Sequence, residues 1–172
     1  MTYQILYCDP PWDYKGGTQH SNTRTDTGGA MEHYPTLTLR ELKDFNLPNT
    51  SPDCLLFMWS SSPHLDQAIE LGKSWGFKYI TIGFVWDKQA VNPSYYTMSQ
   101  VEICLIFKKG KIPQPRGARN IRQLISIKRT RHSAKPTEVR DRITEMFPTQ
   151  LKVEMFARER VEGWDSVGNE VD

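Results

Sequence analysis

The sequence predicts an α/β fold, a sheet with helices on both faces, on three observations. Six short apolar runs read as strands. Most of them are continuously apolar, as strands covered on both faces are, rather than alternating. Helical signals fall between several of the runs, which gives the strand–helix–strand alternation of α/β proteins.

The first strand is Tyr3–Cys8, stopped by Asp9-Pro10-Pro11-Trp12. Thr38-Leu39-Arg40-Glu41 has the form of a capping box and opens a short helix to about Phe45. Cys54–Ser60 is the second strand. Ser62 and Pro63 supply an N-cap and an N1 proline for a helix to Trp75, with Gly76 as its stop. Its residues Leu65, Ala68, Ile69 and Gly72 share one face. Strands follow at Lys78–Trp86, Val101–Lys108 and Leu124–Ile127. Pro136 opens a third helix with Val139, Ile143, Met146 and Phe147 as its buried stripe, and Pro148 lies just past its end. Leu151–Phe156 is the last strand. Gly16–Met31, Asp87–Gln100 and Lys109–Asn120 lack periodicity and read as mobile or substrate-contacting loops. Ligands of such sheets collect at the carboxyl ends of the strands.

A chain of 172 residues, 38% hydrophobic, fits one domain over 1–172 with a real core. The net charge of +2 is nearly neutral, so a nucleic-acid reading has to rest on local basic clusters. Cys8, Cys54 and Cys104 each lie in an apolar run without a CxxC pair, so free buried thiols are expected and a metal site is not. No apolar stretch approaches bilayer length and the N-terminus lacks a signal-peptide plan, so a soluble cytoplasmic protein is expected.

The residues that stop the first strand admit two readings. In one, a proline turn ends a strand and Trp12 tucks into the core. In the other, Asp9 points into a crevice, and the prolines withhold N–H donors while leaving carbonyl acceptors. That set suits an amine with two hydrogens to donate. Trp12 and Tyr14 then offer faces on which a base stacks. A nucleobase amine is a poor nucleophile, because its lone pair is delocalised into the ring. Two acceptors on its hydrogens localise that pair and stabilise the positive charge that develops during attack. Such chemistry needs no nucleophilic serine or cysteine and no metal.

"DPPW" after a short strand resembles the signature of amino-group adenine methyltransferases, and the rest of the chain resembles the MT-A70 family. The similar segments follow in the family's order: His33–Leu42, Asp53–Lys88, Val101–Gly110, His132–Ile143 and Leu151–Glu170. Five ordered segments are far more specific than one tetrapeptide. The resemblance implies a Rossmann-like methyltransferase sheet in permuted order, catalytic strand first and cofactor strand last. It implies S-adenosylmethionine as methyl donor and adenine N6 as acceptor. Asp9, Pro10, Pro11 and Trp12 become the catalytic clamp.

The resemblance also places cofactor contacts at Asp9, Lys135, Glu154, Met155, Phe156, Ala157, Arg158, Arg160, Asn169 and Glu170. Lys135 matches the lysine that reaches the cofactor's carboxylate. Asn169 and Glu170 match positions near its ribose hydroxyls. The family usually has glycine where this chain has Ala157, and alanine accepts that turn if φ stays negative. Arg160 stands where relatives often have histidine. Larger relatives have more chain before the catalytic strand, so the expectation is either a near-minimal version or one that borrows that sheet edge from a homodimer or partner subunit.

On the acceptor side the densest basic runs are 108–123 and 127–132. Lys109, Arg116 and Arg119 are expected to reach phosphates at the active-site rim. Tyr14, Tyr95 and Tyr96 are expected to pack on a base flipped out of its stack. The function expected is adenine-N6 methylation of DNA. RNA as acceptor, cytosine N4 as target, and an inactive nucleic-acid-binding subunit are the alternatives. The last should show a broken clamp or cofactor tail, and here Asp9, Lys135 and Asn169 are intact.

Overall fold

The computed structural model describes residues 1–13, 36–130 and 134–168. Its seven strands form one sheet. In chain order they are β1 (Tyr3–Cys8), β2 (Thr50–Ser60), β3 (Lys78–Asn92), β4 (Ser99–Lys109), β5 (Leu124–Ser126), β6 (Lys152–Met155) and β7 (Asp165–Val167). Their order across the sheet is β5-β3-β4-β2-β1-β6-β7. β1 lies between β2 and β6 and is parallel to both, and β7 is parallel to β6. β4 runs antiparallel to β2 and β3, and β5 is parallel to β3. All strands but β4 therefore point one way, and Asp9 follows β1 at that common carboxyl edge, between the ends of β2 and β6.

Among the described residues three helices cover the sheet: α1 (Leu39–Lys43), α2 (Leu65–Ser74) and α3 (Thr137–Met146). The expected capping box opens α1, with Glu41 N donating to Thr38 Oγ1 at 3.1 Å and Thr38 N to Glu41 Oε1 at 2.9 Å. A single 3-10 turn, Ser62–His64, precedes α2, and Gly76 at φ +93 follows it. Pro136 is the N-cap of α3 rather than its first helical residue.

Alternate residues of the strands feed two cores. Leu6, Leu56, Met58, Leu105, Val153 and Met155 face Leu42 of α1 and Ala68 and Leu71 of α2. Ile5, Phe57, Trp59, Phe84 and Cys104 face Val139 and Ile143 of α3. Each fully buried aliphatic or phenyl side chain contributes about 1.5–3 kcal/mol of apolar burial. Burial on both faces is why the strands read as continuously apolar. α2 lies close because residue 72 is glycine: a Cβ there would come within 2.3 Å of the Phe107 ring. The three cysteines are free and buried.

Two expectations about elements fail. Asp87–Gln100 is not a long loop but the outer part of the β3–β4 hairpin, whose strands reach Asn92 and resume at Ser99. Register shifts between Asp87 and Asn92, with Gln89 at φ +56, break the alternation that would have marked a strand. And β6 is followed by another strand, β7. Its three residues, one of them apolar, carry no readable pattern, as is usual of a short edge strand. Gly16–Met31 lies outside the described residues.

Candidate active site

The strand ends converge on a cavity of about 430 Å³. Asp9 lies just after β1, Lys128 and Arg129 after β5, Phe156 and Arg158 after β6, and Lys135 and Pro136 before α3; all line it. The volume is that of a small-molecule site. The lining joins cations, carboxylates and the rings of Tyr7, Trp86 and Phe156.

Asp9 and Lys135, far apart in sequence, meet here. Lys135 Nζ donates to Asp9 Oδ2 at 2.8 Å, and lies 3.3 Å from Glu102 Oε1 at the start of β4. Glu102 Oε2 in turn lies 3.4 Å from Lys88 Nζ on β3. The Trp59 ring centroid is 5.7 Å from Lys135 Nζ. Burial raises the Asp9 carboxyl above the usual aspartate value, Lys135 opposes that rise, and Glu102 adds to it. Burial alone would lower Lys135, but Asp9 and Glu102 outweigh it and hold the ammonium above the usual lysine value.

The two prolines are not bare acceptors. Pro10 O accepts from Trp12 N at 2.9 Å, and Pro11 O from Leu37 N at 2.8 Å. Each carbonyl keeps a second lone pair. Trp12 is 5% exposed, and His64 stacks on it at 5.3 Å with planes 9° apart. Its indole therefore braces the loop from below and presents no open face to a base. The proline-turn reading was right about this residue, and the stacking expectation is corrected.

The turn after β6 carries a positive φ on Phe156 (+58), not on Ala157. That conformation costs a non-glycine residue about 1–2 kcal/mol. Packing of Phe156 on Phe45, with centroids 4.6 Å apart, offsets it. Ala157 is not among the residues with positive φ, because the strained conformation falls one residue earlier. Gly168 closes on this turn so tightly that a Cβ would sit 2.1 Å from Ala157 N. Gly168 is thus brought up against the turn that follows β6.

Of the expected cofactor contacts, Asp9, Lys135, Glu154, Phe156 and Arg158 line the cavity. Met155 does not: it is wholly buried in the core on the α1 and α2 face. Ala157 is buried, with its N–H on Val167 O at 3.1 Å, and Arg160 is exposed away from the lining. Tyr14, Asn169 and Glu170 lie outside the described residues. Tyr95 and Tyr96 sit at the tip of the β3–β4 hairpin, strongly exposed, at the same end of the sheet as the cavity.

The basic runs divide. Lys128 and Arg129 line the cavity. Lys109, Arg116 and Arg119 do not flank it, contrary to expectation. β4 runs against the other strands, so Lys109 ends beside Cys54 at the amino edge of β2. Glu102 and Lys109, seven residues apart on β4, are separated by about 23 Å. Lys109 Nζ lies 4.6 Å from the Phe77 ring centroid and donates to Thr50 Oγ1 at 3.0 Å. Arg116 lies over Phe147, and Gly117 and Ala118 bond the last carbonyls of α3, whose other end faces the cavity. Arg119 follows on that same segment.

Sequence reasoning missed Glu102, Lys88 and Arg140. Arg140, on α3, donates to Glu154 Oε2 at 2.6 Å and to Glu159 Oε2 at 3.1 Å. Burial raises the Glu154 carboxyl, and Arg140 opposes the rise. The signal was present: Glu102 in "VEICLIF" and Glu154 in "LKVEMF" are lone acids in apolar runs, and a buried charge requires a partner.

The MT-A70 family model matches residues 3–170. The chain is 50% identical over 181 residues to Type II methyltransferase M.MunI of Mycoplasma sp, covering 98% of this chain and 78% of that protein. It is 26% identical to the N(6)-adenosine-methyltransferase MT-A70-like protein of Arabidopsis thaliana, over 99% of this chain and 24% of the relative. It is also 26% identical to the N(6)-adenosine-methyltransferase catalytic subunit METTL3 of Homo sapiens, over 99% of this chain and 28% of the relative. The chain thus spans about a quarter of the length of these two adenosine-named relatives.

Proposed function

The chain belongs to the MT-A70 family and is a methyltransferase, and from that premise we propose that it methylates the N6 amine of adenine in DNA, with S-adenosylmethionine as donor. The observation that carries the proposal is the meeting of Asp9 and Lys135 at the cavity on the carboxyl edge of the sheet. DNA is preferred because the relative matched over 78% of its own length is a Type II methyltransferase. The adenosine-named relatives are several times longer than the matched span.

The cavity suits a ligand that carries a carboxylate, an ammonium, a ribose and a purine. Lys135 and Arg158 offer cations to the carboxylate, and Glu154 and Glu159 offer acceptors to hydroxyls or the ammonium. Phe156 and Trp86 offer apolar faces to the purine. When bound, S-adenosylmethionine supplies an electrophilic methyl group on a sulfonium. Asp9 and the second lone pair of Pro10 O accept the two amine hydrogens and localise the nitrogen lone pair. As nitrogen becomes positive the Asp9 carboxylate offsets that charge, and it would take the surplus proton once the methyl has passed from sulfur to nitrogen and the sulfonium has left as a neutral thioether. A carboxyl raised by burial suits that last task. Tyr95 and Tyr96, and Lys128 and Arg129, are the side chains we assign to the nucleic acid on this edge.

The test is transfer of labelled methyl from S-adenosylmethionine to DNA and RNA oligonucleotides. DNA is expected to be labelled, and Asp9→Ala to cut the rate on the order of 100- to 1,000-fold. No transfer to either acceptor, with no cofactor binding, would favour the inactive subunit. Undiminished transfer by Asp9→Ala would overturn the clamp.

A further inference from the structure

Four charges of alternating sign cross the carboxyl edge: Lys88, Glu102, Lys135 and Asp9. Their links are 3.4, 3.3 and 2.8 Å long. Their side chains are only 10, 20, 11 and 32% exposed, so the chain is largely withdrawn from water. Two cations and two anions sum to zero, which is how such a row is tolerated. It also poses a problem for the proposed reaction. Asp9 Oδ2 already accepts a hydrogen bond from Lys135, so although Oδ1 stays open to the amine, the ammonium holds part of the carboxylate's negative charge. An ammonium there also repels the positive charge that develops on nitrogen.

We infer that Glu102 is a positioning residue that draws Lys135 off Asp9 when the acceptor amine arrives, with Lys88 setting how strongly it pulls. The inference rests on the methyl-transfer reading given above. Lys135 is 2.8 Å from one acid and 3.3 Å from the other, so a swing of its flexible stem by a fraction of an ångström exchanges the short contact. Glu102 divides its oxygens, Oε1 toward Lys135 and Oε2 toward Lys88. Lys88 spends part of that negative charge, so Glu102 holds Lys135 less firmly than an unshared acid would. Lys135 can then exchange between the two seats. Backbone pairing fixes the seat: Glu102 lies opposite Trp86 on the β3–β4 ladder, and Lys88 is two residues beyond it. Among the described residues, the other groups that bear on the row include the Trp59 ring beside Lys135, Arg158, whose charge acts on Asp9, Glu154, whose raised carboxyl has Asp9 among its causes, and the buried Tyr7, Cys8 and Cys104, each pushed up by burial and in part by Asp9.

The test is steady-state methyl transfer to DNA by the full chain, the wild type against Glu102→Gln, Glu102→Asp and Lys88→Met, across pH. Glu102→Gln leaves Lys135 on Asp9. The expected result is a kcat about 10- to 100-fold lower with little change in DNA KM. Loss of the Glu102 charge favours ionised Asp9, so the acid limb of the profile moves to lower pH while the plateau falls. Lys88→Met strengthens the pull of Glu102, so the acid limb moves the opposite way. Glu102→Asp keeps the charge and recovers most of the rate. A residue that only supported the fold would lower the plateau and leave both limbs in place. Unchanged kcat in Glu102→Gln, or acid limbs that stay fixed in both variants, overturns the inference alone. No transfer by the wild type overturns the underlying reading, and this inference with it.

Discussion

The two edges of the sheet hold the same kinds of side chain and use them differently. At the carboxyl edge Lys135 and Arg140 are set among acids: Asp9, Glu102, Glu154 and Glu159. At the amino edge the cations rest on rings and carbonyls. Lys109 lies over Phe77, Arg116 over Phe147, and Lys152 donates to Gln150 O at 2.9 Å. A lysine is therefore no marker of a site by itself. Its partner is, because buried acids and bases held together form a site whose charge can be rearranged, while a cation on a ring has nothing to exchange with.

Breaking one buried pair at the carboxyl edge is the severest test of that contrast. Arg140→Ala strands Glu154, a half-buried carboxylate, without its cation. The expected loss is about 3–5 kcal/mol of unfolding free energy, measured by urea titration, together with weaker cofactor binding at a cavity that Glu154 lines. Arg116→Ala at the amino edge removes a cation over a ring and strands no acid, so about 1 kcal/mol is expected to be lost. Equal losses would erase the distinction between the edges.

The same contrast shows what the sequence could tell. The inner parts of six strands, the helices and the Asp9 and Lys135 positions were legible, because apolar runs and a proline-stopped strand are local patterns. The address of a basic run is not local. Lys109 and Lys128 look alike in sequence, yet the direction of β4 puts one at the amino edge and the course of β5 brings the other to the cavity. Strand direction depends on pairing between distant segments, which composition does not record. Trp12 was misread for a related reason: its fate was decided by His64, some fifty residues away. Phe156 was missed as the strained residue because its relief comes from Phe45.

Nucleic-acid binding sharpens the comparison further. Lys128→Ala with Arg129→Ala is expected to reduce the slope of log K against log salt for duplex DNA by about 2, one for each phosphate contact. Lys111→Ala with Arg119→Ala, at the amino edge, is expected to leave that slope unchanged. Filter-binding or anisotropy titrations from low to moderate salt read both. The reverse outcome would move the DNA to the amino edge and return those residues to the role the sequence suggested.

The smallest effect is expected where one bond ties the first strand to the last. Tyr3 on β1 donates through its hydroxyl to Asp165 Oδ2 on β7 at 2.6 Å, across the width of β6. The tie lies near the surface, so Tyr3→Phe is expected to cost about 0.5–1 kcal/mol. The hydrogen bond to the Asp165 carboxylate comes first, then burial, and together they push the Tyr3 phenol up to about 12. The neutral phenol is the form the fold prefers. Its contribution is therefore complete below the ordinary tyrosine value near 10, and is lost as pH rises toward 12. Unfolding free energies of wild type and Tyr3→Phe should run parallel at neutral pH and converge above about 10. A gap that persists to the highest pH would mean that the hydroxyl acts through packing, and that β7 is held by its ladder to β6 alone.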